Sequence, residues 1–234
     1  MGAPVVHCVT NDVTVGRVAD AIAAAGGHPI MASSEAEVAE IAPRADAVVL
    51  NCGTPSPERM RALCAAGAAA VAAGVPTVLD PVGCGASTWR TAQVRALATA
   101  VRATVIRGGA AEVAALADLP TDATLHGVHS TGGQEDAVAR AAAERLSTVA
   151  VVGRAIAEGA RLSVRQGGDP VLARIVGAGD VLDALIALEC ASERDGFIAA
   201  ERALARFDRA AARASGRGPG SFWPAFIDAL GADA

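Results

Sequence analysis

The sequence predicts an α/β fold with a mainly parallel central sheet, formed as one domain over residues 1–234. Three observations carry this. Short runs rich in Val, Ile and Leu alternate with helical segments along the first two thirds of the chain, the pattern of βα repeats. The runs lack polar alternation, as strands covered on both faces do. At 52% hydrophobic and 19% charged residues, the chain is too apolar for disorder and holds enough apolar side chain for a sizeable core.

The elements follow in order. Val5–Val9 is the first strand, and His7 within it reads as a core residue with its hydrogen bonds satisfied. Ser34 and Glu37 have capping-box spacing, so a helix is expected to start there. Ala47–Leu50 is the second strand, and Ser56 followed by Pro57 marks an N-cap with proline in the first turn. The uncharged stretch Ala62–Leu79 approaches membrane-spanning length, but Gly74 and Pro76 divide it into helix, turn and the strand Thr77–Leu79. Strands at Thr104–Ile106 and Thr148–Val152 flank a Gly/Thr/Asp/His-rich surface excursion over Leu119–Glu135. A polar strand or hairpin over Ala160–Gln166 precedes a glycine turn at Gly177–Gly179 and the apolar helical sequence Val181-Leu182-Asp183-Ala184-Leu185-Ile186. Phe197, Ala200, Leu204, Phe207 and Ala211 then form one apolar helical stripe. Gly216 to Gly220 stops that helix, with Ser221 expected to cap the next.

Composition removes whole classes of function. All 20 basic residues are arginine, so a Walker A loop and a Schiff-base lysine are excluded. Aromatic scarcity and a net charge of -5 speak against a nucleic-acid partner. Five scattered cysteines without a CxxC pair suit a reducing compartment, Cys84 reads as an inert thiol, and the histidines lack metal-site spacing. No secretory or myristoylation pattern opens the chain, and a cytoplasmic, non-membrane protein is expected.

The strongest chemical feature is Gly177-Ala178-Gly179-Asp180 at the start of a helix. Small residues allow a tight turn, and the unpaired N–H groups of a helix start face an anion such as phosphate. Asp180 beside them fits a base that accepts an alcohol's proton during phosphoryl transfer, or a simple helix cap. Asp80 follows a strand and precedes Pro81, which suits a metal or polar ligand at the strand's carboxyl end or a turn. Arg107 and Glu112 follow the next strand, as a phosphate grip and a water-mediated magnesium contact or as a surface ion pair and a helix start.

Several segments in the same order resemble the hydroxyethylthiazole kinase family of the ribokinase-like superfamily. They are His7 to Val15, Pro29-Ile30-Met31, Leu50 to Thr54, Asp80-Pro81-Val82-Gly83, Val105 to Gly108 and Gly218 to Phe222. The resemblance implies a three-layer α/β/α domain, a homotrimer with sites at subunit boundaries, and magnesium-dependent transfer of the ATP γ-phosphate. The acceptor it implies is the primary alcohol of 4-methyl-5-(2-hydroxyethyl)thiazole, a small heterocyclic alcohol of thiamine salvage. By the same resemblance Asn11, Val13 and Met31 approach the thiazole and Gly177 to Gly179 form the anion hole. Asp180 stands where many members have cysteine and where the wider superfamily has its aspartate base. Arg107, Glu112 and Gly153 belong to the nucleotide side, and Asp80 with Glu112 organises magnesium. The chain departs from the family at Gly109, usually Asn, at Val152, usually Thr before Gly153, at Ile156, usually Asp, at Gly16-Arg17, and at His129 in Gly127 to Ser130. Two further readings follow: a diverged homologue that keeps the trimer and heterocycle pocket without using ATP, and an ATP-dependent repair dehydratase of the same superfamily.

Overall fold

The computed structural model describes residues 2–120 and 135–232. The strands are β1 (Val5–Val9), β2 (His28–Ile30), β3 (Ala47–Asn51), β4 (Thr77–Asp80), β5 (Val105–Gly108), β6 (Val149–Val152), β7 (Ala155–Glu158) and β8 (Arg161–Val164). The helices are α1 (Val15–Ala24), α2 (Val38–Ile41), α3 (Pro57–Ala72), α4 (Thr88–Val101), α5 (Ala110–Leu116), α6 (Glu135–Leu146), α7 (Ala178–Cys190), α8 (Gly196–Ala214) and α9 (Pro219–Gly231). One sheet runs β2-β1-β3-β4-β5-β6-β7-β8. Every pairing from β2 through β6 is parallel, and the last two are antiparallel.

Helices cover both faces, which explains strands without polar alternation. On one face, α1, α7, α8 and α9 bury Ile22, Leu185, Leu204 and Phe226 against Val6, Val49 and Val105. On the other, α3 and α4 bury Leu63 and Leu97 against Leu50 and Leu79, while α5 and α6 bury Val113 and Ala142 against Val152. Bulk comes from few residues. Phe226 packs against Phe207, Phe222 and Trp223 with ring centroids 5.1, 6.0 and 5.7 Å away. Elsewhere small residues bring helices close: a Cβ on Gly67 of α3 would lie 2.4 Å from Val101 Cγ2 of α4.

Several expectations change at element ends. Ser34 and Glu37 do not form a capping box; Ser34 Oγ accepts from Ala36 N at 3.3 Å in a turn, and the α-helix starts at Val38. Ser56 does cap α3, accepting from Arg59 N at 3.1 Å. Gly218, not Ser221, caps α9, because Pro219 fits the first helical position and leaves Ser221 inside the first turn. The hairpin near Ala160 is β7-β8, whose first strand lies earlier than expected and is apolar. Most of the Leu119–Glu135 excursion, with His126, His129 and the Gly127 to Ser130 segment, lies outside the described residues. No helix among the described residues is long and apolar enough to cross a membrane.

His7 is fully buried, with Nε2 2.9 Å from Ala32 O and Nδ1 lacking a partner, so its hydrogen bonds are only half satisfied. Burial holds its pKa below the ordinary value, against the raising effects of the Ala32 bond and Glu37. The unfolded chain therefore takes up this proton first. Stability should fall as pH drops through about 6.5 and level off below the folded pKa. Urea midpoints of His7→Gln should decline less than those of the wild type between about pH 7 and pH 5; equal declines would show that His7 does not carry this dependence.

Candidate functional site

The sheet order places a topological switch at β1. β2 lies on one side of it and β3 on the other, so the connections leave in opposite directions and open a crevice at the strands' carboxyl ends. Asn11 lies two residues beyond β1, and Asn51, Asp80 and Gly108 end β3, β4 and β5. Helix α7 meets this edge with its N-terminus, where Asp180 is hydrogen-bonded to residues of β3 and of the loop after β1.

Asn11 shapes the turn into α1. Its Oδ1 accepts from Val13 N at 3.0 Å and Thr14 N at 3.1 Å, while Nδ2 donates to Asn51 Oδ1 at 3.1 Å and to Asp180 Oδ2 at 3.0 Å. Asn51, fully buried, donates from Nδ2 to Asp80 Oδ2 at 3.0 Å and Asp180 Oδ1 at 3.3 Å, and accepts from Gly53 N at 2.9 Å. The Thr14 hydroxyl donates to Asp180 Oδ2. Asp180 is thus held by side chains from two other elements. It is not the helix cap: Gly177 occupies that position and Asp180 lies in the first turn.

Gly177 has φ +87°, and a Cβ there would lie 2.5 Å from Thr14 Cγ2. Both the left-handed backbone and the close approach to Thr14 call for glycine. Gly179 is small for another reason, since a Cβ on it would lie 2.4 Å from Arg107 Nη1.

Arg107 is the cation of the site. Its Nη1 lies 3.7 Å from Asp80 Oδ2 and its Nε 3.7 Å from Asp183 Oδ1. Burial works against its charge, but Asp183, Asp80, Glu112 and Asp180 outweigh that and raise its pKa. Asp80 is pushed well above the carboxylate range, first by burial and then by Asp183, with Arg107 opposing. Asp183 is pushed up to about 6 by burial, again against Arg107. One oxygen from each of Asp80, Asp180 and Asp183 falls in a group within 4.8 Å of one another.

Glu112 stands apart from this group. Its Oε1 accepts from Gly83 N at 2.7 Å and its Oε2 from Gly109 N at 3.0 Å, so it ties the loop after β4 to the start of α5. Gly153 follows β6 with φ +54°, its N–H 3.4 Å from Gly108 O, and a Cβ there would fall 2.2 Å from Glu135 Oε1. Val152 and Ile156 are fully buried, and Cys84 is buried with its thiol pKa raised mainly by that burial. Val13 is 67% exposed, whereas Met31 packs against the core beside α1. Sequence reasoning assigned no role to Asn51, Thr14 or Asp183. A carboxylate amid apolar residues three positions after Asp180 was the available signal for the last.

The sequence model of the hydroxyethylthiazole kinase family matches residues 2–232. The chain belongs to the hydroxyethylthiazole kinase family. It is 40% identical to the hydroxyethylthiazole kinases of Nitratidesulfovibrio vulgaris strain DP4 and Chloroflexus aurantiacus, over 97% of this chain and 87% and 86% of theirs. The structure of the hydroxyethylthiazole kinase protein from Pyrococcus horikoshii OT3 matches with a TM-score of 0.87 at 32% identity, covering 98% of this chain and 88% of that one. An ADP complex of Bacillus subtilis pyridoxal kinase, at 15% identity, shares the fold with a TM-score of 0.67 over 90% of this chain and 92% of that one. The three-layer α/β/α architecture of this family member is ribokinase-like.

Gly177→Ala combines left-handed strain with a clash against Thr14. It should lower unfolding free energy by about 1–3 kcal/mol in urea titration; an unchanged midpoint would contradict the positive φ and the close contact.

Proposed function

We propose that this kinase transfers the γ-phosphoryl group of ATP to the primary alcohol of 4-methyl-5-(2-hydroxyethyl)thiazole or a similar small heterocyclic alcohol. The observation that carries this is Asp180 in the first turn of α7, with Thr14, Asn11 and Asn51 donating to its carboxylate beside the left-handed Gly177.

The chemistry follows from that placement. The alcohol oxygen attacks the γ-phosphorus, its proton passes to Asp180, and the bond from the γ-phosphorus to the bridging oxygen of ADP breaks. N–H groups of the turn from Gly177 to Gly179 would face the phosphoryl oxygens, with Ala178 N also within 3.3 Å of Ile175 O, and Arg107 would bind nucleotide phosphate. Glu112 and Gly153 stand on the nucleotide side. Asp80 and Glu112 would organise magnesium. The donor set suits a hard divalent cation: three carboxylates converge, and no N–H or hydroxyl donor reaches the buried Asp80 Oδ1. When bound, magnesium supplies positive charge against the phosphate oxygens. Glu112, with both oxygens on backbone N–H groups, would act through water.

Asn11, Val13 and Met31 would line the thiazole pocket. Exposure of Val13 on a single chain agrees with a homotrimer whose sites lie between subunits, and a cytoplasmic location goes with this salvage role.

A coupled assay of ADP release with the thiazole alcohol tests the reading. Asp180→Asn should lose about 10²–10⁴-fold in kcat, whereas ordinary turnover by the variant would remove Asp180 from the mechanism.

A further inference from the structure

The apolar stretch Val181 to Ile186 of helix α7 carries one charged residue. Asp183, flanked by the buried residues Val181, Leu182, Ala184 and Leu185, is fully buried; no N–H group donates to either carboxylate oxygen, and its hydrogen-bonding neighbour is the carboxyl of Asp80. A buried carboxylate served by another carboxyl and by no N–H group is destabilising unless an opposite charge answers it. Here the answer comes from Arg107, whose Nε lies 3.7 Å from Asp183 Oδ1 and is itself without a hydrogen-bond partner. The same guanidinium has Nη1 3.7 Å from Asp80 Oδ2 and packs where a Cβ on Gly179 would intrude. Asp183 and Asp80 thus hold the guanidinium against the first turn of α7.

Both contacts are longer than a hydrogen bond. The guanidinium is held by charge, while its five N–H donors are not consumed by tight bidentate pairing. An arginine side chain has much rotamer freedom, and ordering it before the ligand arrives removes that loss from the binding step. Asp183 lies three positions after Asp180, which puts both on the same side of α7.

We propose that Asp183 is a positioning residue that fixes Arg107 across the start of α7, in place to receive nucleotide phosphate. This rests on reading Arg107 as the phosphate contact, but the claim that Asp183 acts through Arg107 can be tested without any ligand.

The test is a double-mutant cycle of wild type, Asp183→Asn, Arg107→Gln and the double variant. The first readout is the thermal midpoint of ligand-free protein. Arg107→Gln leaves two buried carboxylates without their cation, so adding Asp183→Asn should raise its midpoint. If Arg107→Gln fails to fold, recovery of a folded double variant is the same rescue. A double variant no more stable than Arg107→Gln overturns the proposal.

The second readout is calorimetric binding of adenylyl imidodiphosphate without divalent metal. Asp183→Asn should weaken it about tenfold in the wild-type background and less than about twofold in the Arg107→Gln background. Equal losses in both backgrounds would show that Asp183 does not act through Arg107. Absence of any binding by the wild type would remove the phosphate role of Arg107 and, with it, the functional half of the proposal; the thermal cycle would still decide the pairing.

Discussion

The buried carboxamide of Asn51 holds the carboxyl edge of the sheet together by satisfying four partners from four places in the chain. Its two N–H groups serve Asp80 and Asp180, and its oxygen serves Asn11 and Gly53 N. A carboxamide is the side-chain group that offers two donors and an acceptor of matching capacity in so small a space. An aspartate there would add another carboxylate beside two already present, and an apolar residue would take a hydrogen-bond partner from all four, leaving Gly53 N and Asp80 Oδ2 the worst served. Because the loop after β1, β3, β4 and α7 meet at this group, the spacing between Asp180, the proposed base, and Asp80, the proposed metal ligand, follows from it.

Charge balance sets the second constraint. Asp80 and Asp183 share one arginine and stand beside Asp180, so burial first, and then the excess of neighbouring carboxylates, pushes Asp80 and Asp183 toward protonation. Positive charge arriving with a metal nucleotide would relieve the same excess. The absence of lysine does not weaken the proposed arrangement, in which backbone N–H groups and one guanidinium would take the work that a Walker-type lysine does elsewhere.

Much of the sheet was legible because strands covered on both faces announce themselves as unbroken apolar runs. β2 escaped, being three residues long with a central proline, His28-Pro29-Ile30, and paired along one side only. Helix starts were legible where a serine preceded a true first turn, as at Ser56, and misled where a proline and a glycine defined the start instead, as at Gly218. In the site, Asp180 and the glycine turn stood out by local chemistry. Asn51 and Thr14 did not, because their importance lies in hydrogen bonds to residues more than a hundred positions away. Asp183 was hidden within a helix that reads as core.

Asn51 sets the geometry of Asp180 and Asp80, the proposed base and metal ligand. Steady-state phosphorylation of the thiazole alcohol by Asn51→Leu tests it most directly, with circular dichroism confirming a folded chain. Misplacement of reacting groups by a fraction of an ångström to about 1 Å predicts a fall in kcat of at least about 10²-fold. A folded variant that turns over within about twofold of the wild type would contradict the account.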